Sequence, residues 1–169
     1  MAGSMLMAGS RAGFALAVCL ALTAPLADAA TEPEPGFAWM VSQYEGNVSL
    51  IYGSTETAED FFFFLSCNNQ KKEAEITVYQ DIAGAKVGQK VTIEIGVGSA
   101  KVALKGETAT DEMSGYIFGV AKQFAVKPVV AVLGGSGPAL VKMEKNELTL
   151  PKQGRAEELG KFAKACKLD

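Results

Sequence analysis

Phe61-Phe62-Phe63-Phe64-Leu65-Ser66-Cys67 is the stretch on which the fold of this chain turns. In an extended strand neighbouring side chains point to opposite faces. Phe61, Phe63, Leu65 and Cys67 then line one side, and Phe62, Phe64 and Ser66 the other. Both sides are apolar, which predicts an interior strand with a second layer packed on each face. Glu59 and Asp60 precede the run and Asn68, Asn69, Lys71 and Lys72 follow it. Such flanks act as gatekeepers that keep an aromatic segment from pairing with other chains before it folds.

Outward from this strand the chain reads as β. Residues 37–43, with the only tryptophan, Trp39, and residues 48–52 form a hairpin around Glu45-Gly46-Asn47. Residues 73–79 and 90–95 alternate apolar and polar positions, as half-buried strands do. Gly96-Val97-Gly98-Ser99 turns the chain into a strand over 100–104, and a polar segment over 107–112 leads to another at 116–120. Pro128 suits the first position of a helical turn over 129–133. Residues 139–143 and 147–150 form a last hairpin, stopped by Pro151.

From Arg155 the period changes. Leu159, Phe162, Ala163 and Cys166 fall on one helical stripe, with Glu157, Glu158, Lys161 and Lys164 outside it. Cys166 thus points inward. The expected helix lays this stripe on the outer side of the sheet, against Phe61, Phe63 and Leu65. The fold class expected is mainly β: an antiparallel sandwich or partly closed barrel of about eight strands with a C-terminal helix.

The chain has 169 residues, 49% of them hydrophobic and 21% charged, which suits one globular domain. A net charge of -3 and a pI near 5.1 offer no basic field for nucleic acid. Arg11, an apolar run over 14–24 and the small-residue pattern Ala27-Asp28-Ala29 read as a secretory signal peptide over 1–29. Cys19 lies inside the apolar run, not at the end of it, which argues against a lipoprotein signal. Residues 30–36 then read as a proline-rich linker and 37–169 as a single domain. Periplasmic or secreted localisation follows, with no stable membrane insertion after cleavage. In that oxidising compartment Cys67 and Cys166 are expected to pair.

Histidine is absent, which removes Ser-His and Cys-His nucleophile activation and the commonest zinc ligand. Gly96-Val97-Gly98 sits between strands and lacks the third glycine of a dinucleotide fingerprint, and no Lys-Ser/Thr follows Gly134-Gly135-Ser136-Gly137. The pairs Glu59-Asp60, Asp111-Glu112 and Glu157-Glu158 are adjacent residues whose side chains diverge, so they read as solvated charge. Trp39, Tyr52, Tyr79 and Tyr116 are candidates to line a ligand site, although aromatic residues on strands more often pack the core. No cofactor or metal is expected, and the chain is expected not to be an enzyme.

The tryptophan strand, Ser49-Leu50-Ile51-Tyr52-Gly53, the strand ending in Cys67, and Leu148-Thr149-Leu150-Pro151 before a helix ending Phe162-Ala163-Lys164-Ala165-Cys166 resemble a family of small exported alphaproteobacterial proteins. The likeness spans nearly the whole mature chain and implies a β-rich exported domain with a terminal disulfide; it implies no activity. More loosely, the layout is similar to the invasion-associated locus B proteins, which implies a virulence-associated secreted factor. A further likeness is to periplasmic lysozyme inhibitors, small barrels that insert a Ser-Gly loop into the enzyme's cleft. Ser114-Gly115-Tyr116 and Ser136-Gly137 are the candidate interaction loops on that reading. The function expected first is a non-catalytic module that binds another envelope or host protein, with inhibition of a lysozyme-type hydrolase and a virulence role as alternatives.

Overall fold

The structure is a computed structural model that describes residues 32–57, 59–69 and 73–168. The expected signal peptide, with Cys19, and the flanking Lys71 and Lys72 lie outside the described residues. Nine strands form one antiparallel sheet. They are β1 (Phe37–Tyr44), β2 (Asn47–Ser54), β3 (Phe61–Asn68), β4 (Glu73–Val78), β5 (Lys90–Val97), β6 (Ala100–Thr110), β7 (Ile117–Lys122), β8 (Ala139–Met143) and β9 (Asn146–Leu150). Helix α1 (Val126–Leu133) follows β7, and α2 (Arg155–Ala165) follows β9. The order across the sheet is β1-β2-β3-β4-β7-β6-β5-β8-β9.

The phenylalanine strand β3 is interior, between β2 and β4. The sheet folds over so that its two edges approach one another. The Trp39 indole N–H on β1 donates to the Pro151 carbonyl after β9 at 2.8 Å. The Asn146 side-chain amide at the start of β9 donates to the Asp81 carbonyl after β4 at 2.6 Å. The inner faces of both halves therefore share one core, with Leu50, Phe63, Leu65 and Ile76 from one half and Ile93, Ile95, Val141 and Leu150 from the other. Among the described residues no ladder joins β1 to β9, so the arrangement is sandwich-like and not a closed barrel.

Both helices lie on the inner side. Val129 and Leu133 of α1 and Leu159 and Phe162 of α2 belong to the common core, and full burial of a phenylalanine such as Phe162 contributes roughly 2–3 kcal/mol. Helix α2 packs on β1 and β2, and α1 on β5 and β6. Cys166, the C-cap of α2, reaches Cys67 on β3 with a Cα–Cα separation of 6.1 Å, within disulfide distance. Beside it the Asn69 side chain donates to the Ala165 carbonyl at 2.8 Å and satisfies one of the open carbonyls of the helix end. Arg155, fully buried, donates to the carbonyls of Leu133, Gly135 and Gly137. A cation at the C-terminal end of α1 also suits the helix dipole.

Four expectations need correction. Strand β6 runs on to Thr110 because Leu104 and Thr108 keep the inward period through the polar segment. Pro128 is the third residue of α1, where its missing N–H is still not needed within the helix. The outer face of β3 carries no second layer among the described residues, because both helices use the inner face. The helix stripe of Leu159 and Phe162 accordingly meets the core on that inner side, and Phe61 is not part of the surface that receives it.

The register explains the last point. Tyr52 pairs with Phe63 and Gly53 with Phe61, which leaves Phe62 as the extra residue of a β-bulge. One inserted residue reverses the facing of everything beyond it. Phe61 therefore joins Phe64 on the outer face, while Phe62 turns inward to stack on Phe37 at 5.1 Å. Gly53 is needed there: a Cβ would lie 2.7 Å from the Asp60 carbonyl oxygen and 2.8 Å from the Phe61 Cβ.

Candidate functional site

The bulge delivers Phe61 to a chain of rings outside the core. Phe61 lies 5.8 Å from Phe64 and 5.6 Å from Tyr79, and Tyr79 lies 5.0 Å from Phe118 and 6.2 Å from Tyr116. None of the five belongs to the core or to its packed margin. Aromatic pairs at these separations stabilise one another beyond simple burial, so the sheet's outer face is ordered without a covering layer. Tyr116 is 50% exposed, and Met113 beside it is 97% exposed.

Three of these rings, those of Phe61, Tyr79 and Tyr116, form one wall of a groove of about 510 Å³ at the end of the sheet where β3 and β7 begin and β4 ends. Phe37, Phe62 and Leu148 close the opposite side. The consecutive Phe61 and Phe62, sent to different faces by the bulge, thus both line it. Glu59, Asp60, Asp81 and Asp111 stand around the rim, and no lysine or arginine lines the groove.

The loop from Asp111 to Tyr116 is held by one carboxylate. Asp111 Oδ1 accepts the N–H groups of Met113 at 2.7 Å and Ser114 at 2.9 Å, and Oδ2 accepts the Tyr79 hydroxyl at 2.7 Å. The Gly115 N–H donates to the Asp111 carbonyl at 2.8 Å, and the Asp111 N–H to the Tyr116 carbonyl at 3.0 Å. The Ser114 N–H first, then the Tyr79 hydroxyl and the Met113 N–H, hold the Asp111 carboxyl below its ordinary range. For Tyr79 the Ser114 hydroxyl pulls downward, but its bond to the Asp111 carboxylate, with burial and that charge, outweighs it and the phenol titrates above its usual value. One group is held ionised and the other protonated near neutral pH. That suits fixed hydrogen bonding better than proton transfer.

The candidate interaction loops part company here. Ser114 and Tyr116 border the groove, with Gly115 between them in sequence, whereas Gly137, next to Ser136, lies at the opposite end of the β5–β6 hairpin, beside Gly96 and Gly98. The Gly137 carbonyl is occupied by Arg155 at 2.6 Å. The four candidate aromatic residues also divide. Trp39 and Tyr52 are core, while Tyr79 and Tyr116 line the groove. Sequence reasoning missed Phe61, Phe64 and Phe118 as half-buried residues outside the core. The signal for the first was Gly53, directly after the expected strand over 48–52.

A second hollow of about 460 Å³ lies at the far end of β3 and β4, lined by Asn47, Ser66, Glu75 and Gln123 without an aromatic ring. Its Glu75 is matched by Lys122 at 3.4 Å. Among the described residues no group of acidic or cysteine side chains is placed to hold a metal ion, and no helix is long and apolar enough to cross a membrane. No family model, curated protein or solved structure matches the chain.

Proposed function

We propose that this protein is an exported, non-catalytic binding module that takes its partner in the aromatic groove at the end of the sheet. The observation that carries the reading is the chain of five rings outside the core, continued to solvent by Tyr116 and Met113. Aromatic side chains supply large contact area at small entropic cost, and they cluster where proteins recognise other molecules. Export is part of the proposal and is supported by the leader-like sequence and by two cysteines at disulfide distance. Membership in the family of small exported alphaproteobacterial proteins belongs to it too and rests on the sequence motifs alone.

A second reading is favoured by the loop itself. Residues 111–116 are pinned by five hydrogen bonds of Asp111, and Met113 projects from the tip. A rigid projecting loop is what a protein inhibitor inserts into an enzyme cleft, because little order is lost on binding. Both readings are tested by adding periplasmic extract of the exporting cell to isotope-labelled mature protein. Signals of Phe61, Tyr79 and Gln80 should broaden if the groove is occupied, and those of Met113 and Ser114 alone if only the loop inserts. Equal change at the exposed Tyr44, remote on β1, or none at the groove and loop, overturns both.

A further inference from the structure

We propose that the groove's occupant is a cationic segment of a partner protein, an exposed loop presenting arginine or lysine side chains beside apolar ones. This rests on the binding reading above and names the chemistry of its ligand.

The groove's charge is one-sided. Glu59, Asp60, Asp81 and Asp111 line it without a cation. Elsewhere on the sheet carboxylates are matched by lysines: Glu94 by Lys101 at 3.0 Å, Glu107 by Lys90 at 3.2 Å and Glu147 by Lys142 at 2.9 Å. Among the described residues none of the four groove carboxylates is in an ion pair. The Gln80 side chain in the same wall uses its Nε2 on the Glu147 carbonyl at 3.3 Å and leaves Oε1 without a donor. Asp111 is committed to its own loop, and Asp60 and Asp81 each accept one bond, from the Thr57 hydroxyl and the Ile117 N–H. The Glu59 carboxylate, one oxygen each of Asp60 and Asp81 and the Gln80 Oε1 are left as acceptors for a ligand rich in donors.

Its rings ask for something more. A guanidinium or ammonium stacks on Phe, Tyr and Trp faces while its stem packs against apolar surface. A small polyamine would meet the carboxylates and leave most of the rings bare, and a neutral sugar would do the reverse. Nucleic acid is repelled. A polypeptide satisfies both, and the space suits one. The groove continues into a hollow of about 400 Å³ that shares Glu59, Phe61, Tyr79 and Asp111 and runs across β4, β7 and β6; the one cation lining that hollow, Lys122, is paired with Glu75 at 3.4 Å.

The test is a titration of labelled, oxidised mature protein, followed by amide NMR, with a short peptide alternating arginine and leucine and with its citrulline counterpart. The arginine peptide should shift Gln80, Asp81, Met113 and Tyr116 saturably and lose affinity as salt is raised. Citrulline should weaken binding about tenfold or more. Glu59→Gln should weaken the arginine peptide several-fold with an unchanged melting point, since the Glu59 side chain makes no hydrogen bond or ion pair among the described residues. Equal binding of the citrulline peptide, or of a chitin oligosaccharide, overturns the cationic ligand while the groove stands as a site. The same signals shifting with protein concentration alone would name a second copy of this chain and overturn it too. If no probe moves the groove signals, the cationic ligand is refuted; the groove itself is then judged by in-cell crosslinking, which needs no chosen ligand.

Discussion

Gly53→Ala should dismantle the groove through one methyl group. The added Cβ would stand 2.7 Å from the Asp60 carbonyl oxygen and 2.8 Å from the Phe61 Cβ. Neither atom is the end of a flexible side chain, so the backbone has to move. The conformation is not at issue, because Gly53 is not among the positive-φ glycines. Overpacking of this kind costs typically about 1–3 kcal/mol. The hydrogen bond that closes the bulge, from the Ser54 N–H to the Asp60 carbonyl at 2.7 Å, is at risk as well and adds about 1 kcal/mol. A loss of about 2–4 kcal/mol is expected by urea unfolding, with a lower midpoint and an unchanged slope. The ring contact of Phe61 with Tyr79, 5.6 Å in the native protein, should disappear from the NMR spectrum. If the variant keeps both its midpoint and that contact, the bulge does not place Phe61.

Cys67→Ser should lower stability by roughly 2–5 kcal/mol, since the pair would close a loop spanning 99 residues of sequence; mass spectrometry of non-reduced protein should find no free thiol in the parent, and a free thiol there would remove the basis for the loss. Arg155→Met leaves three carbonyls without their donor and should cost about 2–4 kcal/mol by the same unfolding assay. Asp111, whose carboxyl is held low in the folded protein, stabilises its loop above the ordinary carboxylate pKa and loses that effect as pH falls through its own lowered value. Hydrogen exchange at Met113 and Ser114 should therefore accelerate only below the usual carboxylate range, and Asp111→Ala should show the fast exchange already at neutral pH. Protection that does not change with acid would contradict the carboxylate's role.

The strand pattern was legible because alternation is a local property. Strands β1, β2, β4, β5 and β8 follow from their apolar periods, and the inward stripe of α2 follows from Leu159, Phe162 and Cys166. The two-faced apolar character of β3 announced an interior position, and β3 has a strand on each side. That its second face carries no covering layer among the described residues was not legible. Alternation assumes an unbroken register, and the bulge opposite Gly53 broke it at Phe62. The outer rings come from three distant places, Phe61 and Phe64, Tyr79, and Tyr116 with Phe118, which meet only because β7 pairs with β4 and skips β5 and β6. Tyr116 was in view as part of a Ser-Gly loop, but nothing in its own neighbourhood distinguishes that loop from Ser136-Gly137. The fold does so by occupying the Gly137 carbonyl with Arg155.

The most direct test of the groove as the binding site is photo-crosslinking in the cell that produces the protein. A benzophenone side chain replaces Tyr116 at the groove in one strain and Tyr44, 71% exposed on β1, in another. A discrete adduct is expected at position 116, absent at position 44 and lost when Gly53→Ala is added. Adducts of equal yield at both positions, or none at 116, would contradict that expectation.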